Sequence, residues 1–172
     1  MVRSLAVVVG MFATGLAVAA DKHNEKVVEY AKSQVGKQVG NGECWTLANE
    51  AMKSAGTKSS FNFTDTPNKG DYVWGTLTYG LDGGKETGTL KDVKPGDVVQ
   101  FRDTKFSGKK GNGTYTMTAS HHTALVLKAD KDAKTITIVH QNWSGKKTVA
   151  EATLALGDLR EGWIKVYRPQ PK

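Results

Sequence analysis

The chain opens with an almost unbroken apolar run, Leu5 to Val18, and then changes to a polar sequence with shorter hydrophobic patterns. Arg3 precedes the run, and Ala17-Val18-Ala19 has the small-x-small form of a signal-peptidase site. The run is too short to span a bilayer comfortably. We therefore predict a secretory signal peptide over residues 1–20, cleaved near Ala19/Ala20, and a secreted or periplasmic product.

Two later segments show the spacing of amphipathic helices. Asn24 to Val35 carries apolar residues at positions 27, 28, 31 and 35 and ends at a glycine. Apolar residues then recur at helical spacing from Trp45 to Ala55, and Gly56 offers a C-terminal cap. The second pattern places Cys44 in the first turn of a helix.

The second half of the chain has the composition of strands. Residues 57 to 90 give only a weak pattern, and we expect an irregular excursion there with one strand-like run, Tyr72 to Tyr79. The strands predicted after it are Val98 to Arg102, Thr114 to Met117, His122 to Lys128, Thr135 to Trp143 and Trp163 to Tyr167. Helices followed by an antiparallel sheet indicate an α+β fold, in one domain over residues 21–172.

Charge and cysteine content narrow the function. Lys and Arg outnumber Asp and Glu by 24 to 17, which favours an anionic surface or polymer as the environment, but the lysines are scattered and no nucleic-acid motif accompanies them. Cys44 is the only cysteine, so it cannot form an internal disulfide. It is either a reactive thiol or a small buried hydrophobic residue.

Strand alternation indicates which side chains could join the thiol. His122 shares its strand face with Ala124, and His121 points to the opposite face. On the next strand, His140 and Asn142 share one face. A thiol at the positive end of a helix beside an imidazole, itself oriented by a third polar group, is the arrangement of a cysteine nucleophile. The backbone N–H of Cys44 could stabilise an oxyanion, and Gln38 could supply a second donor.

Four motifs in this order carry a resemblance to a known group. They are Cys-Trp opening a helix, Pro-Gly-Asp-Val-Val-Gln-Phe, His-Thr-Ala-Leu-Val and Ile-Thr-Ile-Val-His-Gln-Asn-Trp. Together they resemble the CHAP and NlpC-type cysteine amidases and peptidases of the papain-like superfamily, over roughly Val27 to Trp143. The resemblance implies N-terminal helices packed on an antiparallel sheet.

The resemblance also implies residue roles. Cys44 becomes the nucleophile, His122 the general base and Asn142 the orienting residue. CHAP-like proteins often have a glutamate where this chain has His140, so His140 is the alternative third residue. Gln38 stands where papain-like enzymes keep an oxyanion-hole glutamine. The groove walls expected beside the thiol are Trp45, His121 and Trp143.

The leading hypothesis is an exported cysteine hydrolase that cleaves amide bonds in peptides or cell-wall peptides through a thioester on Cys44. An acyltransferase that uses the same thioester is a close variant. The competing hypothesis is an inactive CHAP-like module that binds a peptide or glycan. A zinc site built from Cys44 and the histidines is disfavoured because no close ligand pair exists. We expect no cofactor, no metal, no nucleic-acid partner, no stable membrane insertion and a monomer.

Overall fold

Two α-helices and seven β-strands make up the described part of the chain. The computed structural model describes residues 13–63 and 71–172, so the first 12 residues of the predicted signal peptide lie outside it. The elements are α1 Ala13–Gln34, α2 Cys44–Ala55, β1 Thr76–Asp82, β2 Lys85–Gly88, β3 Val98–Lys110, β4 Gly113–Asp130, β5 Thr135–His140, β6 Ala150–Ala155 and β7 Leu159–Arg168. Short 3₁₀ helices occupy Ser60–Asn62, Leu90–Asp92 and Leu156–Asp158.

All seven strands form one sheet in the order β2-β1-β7-β3-β4-β5-β6. Every neighbouring pair is antiparallel. The predicted α+β class with an antiparallel sheet is therefore confirmed.

The two faces of the sheet bury different cores. On one face Val98 and Leu125 pack with residues of both helices, such as Val27 and Leu47. The opposite face buries side chains from six strands against one another. Among the described residues neither α-helix contributes to that second cluster, although two of the 3₁₀ helices add Leu90 and Leu156 to it.

The helix predictions were partly right. The helix predicted from Cys44 is confirmed, and Gly56 ends it in the left-handed conformation (φ 70°). The first helix begins earlier than predicted, at Ala13, because the alanine-rich segment before Asn24 also favours a helix. α1 thus runs through the predicted cleavage point. Within the described residues, no helix combines the length and apolar content needed to cross a membrane.

The strands differ from the prediction in four places. The strands at 114–117 and 122–128 are a single strand, β4, because pairing with β3 continues along nearly its whole length. β5 ends at His140, before the predicted Trp143, since Asn142 turns the chain with a positive φ of 63°. The segment predicted to be irregular contains the hairpin β1–β2, and β6 was missed because its alanines have low strand propensity.

Candidate functional site

Cys44 is the first residue of α2, directly after a glycine-containing loop. Glu43 precedes it in extended conformation, and the Glu43 side chain does not cap the helix. Backbone N–H groups at a helix start have no partner within the helix. Here the N–H groups of Cys44 and Trp45 interact with the Cys44 sulfur instead, and both interactions lower the pKa of its thiol.

The thiol lies where strands β4 and β5 separate. The Val126 N–H donates to Asp97 on the β3 side, so by alternation the Thr123 N–H points towards β5. β5 has already ended at His140, opposite Ala124, which leaves the Thr123 N–H at an open edge. That N–H interacts with the Cys44 sulfur and lowers the pKa of its thiol. The peptide bond joining His122 to Thr123 therefore contacts the candidate nucleophile.

Burial dominates the ionisation of this thiol. Desolvation raises the pKa of Cys44, and the negative charge of Glu43 raises it further, by a smaller amount. The three backbone N–H groups act in the opposite direction but do not offset the burial. Burial therefore favours the neutral thiol over the thiolate in the resting structure.

The two adjacent histidines lie on opposite faces of the sheet. His122 is 2% exposed and belongs to the face without helices, where its ring lies 4.6 Å from the Trp143 ring and 5.7 Å from the Phe101 ring. His121 is exposed on the other face and its Nε2 contacts the Arg102 guanidinium. Neither ring is hydrogen-bonded to the Cys44 thiol within the part of the chain that the structure describes.

His140 shares the face of His122. Its ring lies 5.5 Å from the His122 ring in an edge-on arrangement. Burial lowers the pKa of His122 to about 3 and that of His140 to about 4, so both rings are neutral. Nε2 of His122 and Nδ1 of His140 are buried without a hydrogen-bond partner among the described residues. The structure thus brings the two rings together without His140 orienting His122.

Asn142 lies directly beyond the end of β5, next to Cys44. Its side-chain amide donates to the Glu43 carboxylate at 2.7 Å, and its backbone N–H donates to Lys146. The amide is thus committed to the residue before the nucleophile, not to His122. The role of Asn142 as orienting residue stays a prediction.

Two neighbouring clefts meet at His121 and Asn142. The Cys44 cleft, of about 620 Å³, is lined by Asn41, Glu43, Cys44, Trp45, Thr46, Tyr72, His121 and Asn142. The Trp143 cleft, of about 320 Å³, is lined by Thr118, Ala119, Ser120, His121, His122, Asn142, Trp143 and Ser144. The predicted groove walls therefore divide, with Trp45 in the first cleft, Trp143 in the second and His121 in both.

Aromatic rings form one wall beside the thiol. The Trp45 ring lies 5.1 Å from Phe61, 6.3 Å from Tyr72 and 6.5 Å from Trp74. The Trp45 Nε1–H donates to Ser60, which fixes the indole. Phe61 is 76% exposed and extends this aromatic cluster to the protein surface.

The glutamine next to the nucleophile is not the one that the sequence suggested. Gln38 is exposed, its amide donates to Gly40, and it is absent from the lining of the Cys44 cleft. Gln141 is fully buried and bonds the loop before Cys44. No local signal in the sequence marks the contact of Gln141 with Val39, because the two residues are 102 positions apart.

Comparison with known proteins identifies the family. The AIM3/BBC1 cysteine proteinase-fold domain matches residues 11–172. The chain belongs to this family. A papain-like cysteine proteinase fold is thereby supported for the AIM3/BBC1 domain described here, and the match begins upstream of the predicted cleavage point.

Two curated fungal proteins contain a similar segment. The domain is 28% identical over 159 residues to altered inheritance of mitochondria protein 3 of Debaryomyces hansenii, and this covers 88% of the chain. It is 26% identical over 150 residues to SH3 domain-containing protein C23A1.17 of Schizosaccharomyces pombe, covering 85% of the chain. The aligned segments span only 16% and 9% of those relatives.

Solved structures resemble the AIM3/BBC1 domain more distantly. The crystal structure of Ly7917 matches with a TM-score of 0.49 and 19% identity, covering 85% of this chain and 62% of that one. The crystal structure of Ly7917 with the hydrolyzing product of MDP matches with a TM-score of 0.47 and 19% identity, covering 85% and 63%.

Proposed function

We propose that the domain is a CHAP/NlpC-type cysteine hydrolase that cleaves amide bonds in peptides or cell-wall peptides, with Cys44 as nucleophile and His121 as base. The supporting observation is that Cys44 and His121 line the same open cleft, in which the thiol is half-buried. The His122 ring, which the resemblance assigns as base, is buried on the other face of the sheet and does not line that cleft.

The reaction starts from the thiol of Cys44 and the imidazole of His121. As the sulfur attacks the carbonyl carbon, the thiol proton passes to His121, and the carbonyl electron pair moves to oxygen. The backbone N–H of Cys44, at the start of α2, stabilises the oxyanion. Collapse of this intermediate breaks the C–N bond, the amine leaves with the His121 proton, and water then hydrolyses the thioester with His121 again as base.

The cleft supports a substrate with both polar and apolar parts. Trp45 and Tyr72 form an apolar wall, whereas Asn41, Glu43 and Asn142 form a polar one. The Trp45 and Tyr72 rings are tilted by 49° to one another, so they do not form a flat platform. A peptide with an apolar residue near the scissile amide fits this arrangement.

A second candidate function is binding without catalysis. It is favoured by the raised pKa of Cys44 and by the absence of a hydrogen bond between the thiol and either adjacent imidazole. In that case the same cleft holds a peptide or glycan and the thiol is structural.

Cys44→Ser separates the two functions. The wild type, Cys44→Ser and the exposed-strand control Thr153→Ala are incubated with synthetic peptides and peptidoglycan fragments, and cleavage is followed by mass spectrometry. The hydrolase proposal expects cleavage by the wild type and the control and none by Cys44→Ser, with substrate binding retained. Binding by all three proteins with no cleavage by any favours the second candidate.

Export is a separate proposal, supported by the apolar run from Leu5 to Val18. The full chain is expressed in a eukaryotic secretory host, and the N-terminus of the product in the medium is sequenced. A mature N-terminus at Ala20 or Asp21 supports export. Retention of the intact chain in the cell contradicts it.

A further inference from the structure

The buried amide of Gln141 joins the end of β5 to the loop before the nucleophile. Its Oε1 accepts from the Val39 N–H at 2.7 Å, and its Nε2 donates to the Val39 carbonyl at 3.1 Å and to the Glu43 carbonyl at 2.9 Å. One acceptor and both amide hydrogens are thus used. The side chain is fully buried, so water cannot replace these bonds.

The Glu43 carbonyl is also the first hydrogen-bond acceptor of α2. It receives the N–H groups of Thr46 at 3.0 Å and Leu47 at 3.3 Å. Gln141 therefore holds the first turn of the helix as well as the loop. Because it extends from the strand that ends beside the thiol, it fixes the helix start relative to the opening between β4 and β5.

Gln141 contacts neither the thiol nor the lining of the Cys44 cleft. It differs in this from Asn142, which lines the cleft and holds the Glu43 carboxylate. Any influence of Gln141 on the thiol must act through the position of the loop and of Cys44.

We propose that Gln141 is the positioning residue of Cys44, holding the thiol in its half-buried place against the Thr123 N–H. This deepens the proposed function, because it names the residue that sets the geometry of the nucleophile. Without these bonds, the loop moves away from β5 and the thiol becomes more exposed. Burial is the largest cause of the raised pKa, so exposure lowers the pKa of Cys44 towards its ordinary value.

The test measures iodoacetamide labelling of Cys44 between pH 6 and 10 in the full chain. Gln141→Met keeps the volume and removes all three hydrogen bonds, whereas Gln141→Glu keeps only the acceptor when ionised. Thr57→Val is the matched control, because Thr57 is buried and bonds Met52 at the other end of α2. A fall of one pKa unit raises the thiolate fraction about tenfold below the pKa.

We expect labelling at pH 8 to be up to about tenfold faster in Gln141→Met, with a lower apparent pKa and an intermediate effect in Gln141→Glu. Thr57→Val should reduce Tm but keep the wild-type pH profile. Wild-type profiles in both Gln141 variants overturn the proposal, as does an equal shift in Thr57→Val. If Gln141→Met fails to fold, the Gln141→Glu profile decides.

Labelling does not require hydrolysis, so the two proposals can fail separately. A shifted profile in the Gln141 variants together with an inactive wild type overturns the hydrolase and leaves the positioning role of Gln141 intact. Cleavage by the wild type together with unshifted profiles overturns the positioning role of Gln141 and leaves the hydrolase proposal intact.

Discussion

The Asn142 amide donates to the Glu43 carboxylate at 2.7 Å, so the residue predicted to orient the base holds the residue before the nucleophile instead. This bond keeps a negative charge beside Cys44, where it contributes to the raised pKa of the thiol. Burial and the negative charge of Glu43 therefore both favour the neutral form of the Cys44 thiol in the resting site.

Removing that charge should lower the thiol pKa. Glu43→Gln keeps an oxygen that accepts from Asn142 but removes the negative charge, so we expect labelling of Cys44 to be about two- to threefold faster at pH 8 and low salt. Glu50→Gln, on the same helix, is the control and should have no effect. Unchanged labelling in Glu43→Gln contradicts the proposed influence of the charge.

The native thiol should react more slowly than the unfolded one. Because burial raises the pKa of Cys44, the thiolate fraction at pH 7 to 8 is smaller in the folded protein than in denaturant. Iodoacetamide rates measured from pH 6 to 10 with and without urea test this. A native thiol that reacts faster at pH 7 than the unfolded one shows activation at rest and counts against the described geometry.

His121→Ala should reduce hydrolysis more than His122→Ala, the reverse of the order that the resemblance implies. The His121 ring lines the Cys44 cleft, whereas the His122 ring is buried on the other face of the sheet. Loss of a general base costs about 10² to 10⁴ in kcat, and we expect less than about tenfold for His122. Circular dichroism checks that both variants fold. Equal losses contradict the assignment of His121.

Acidification should destabilise the domain through its buried histidines. The folded-state pKa values of His122 (about 3) and His140 (about 4) lie below the ordinary histidine value, so the unfolded chain binds more protons on acidification. The contribution of the two neutral rings to the free energy of unfolding is complete above about pH 6.5. It is lost as the pH falls towards 4, by up to about 1.4 kcal/mol per pH unit for each ring. No loss of stability over this range contradicts the neutral state of the rings.

His140→Leu isolates this effect from the carboxylates. The variant removes one titrating ring, so the dependence of the free energy of unfolding on pH between 6.5 and 4 should be shallower than in the wild type. Urea unfolding at each pH gives both slopes. Identical slopes show that titration of His140 does not contribute to the pH dependence of stability.

A buried ion pair should dominate stability near the chain's C-terminal strand. Asp97 is fully buried and accepts from Arg168 on β7 and from Asn24 on α1. Asp97→Ala leaves the Arg168 charge uncompensated and should cost about 3 to 5 kcal/mol in urea unfolding. The exposed pair of Asp132 with Lys131 is the control, and Asp132→Ala should cost at most about 1 kcal/mol.

Sequence patterns predicted an element correctly where interactions between nearby residues determine its structure. The spacing of Trp45, Ala48, Met52 and Ala55, followed by Gly56, predicted α2 with nearly correct bounds. The same reasoning missed β6, whose alanines become a strand only through pairing with β5. It also extended β5 past His140, because a positive φ at an asparagine is not visible in an alternating pattern.

The sequence by itself determined that the only cysteine begins a helix, that a histidine-bearing strand follows, and that the sheet is antiparallel, since periodicity and turn residues encode these features within a few positions. Only the tertiary structure decided that the thiol meets the Thr123 N–H, that Gln141 holds the preceding loop, and that His122 and His140 are neutral. Those features depend on burial and on hydrogen bonds between residues up to 102 positions apart, and no local pattern carries that information.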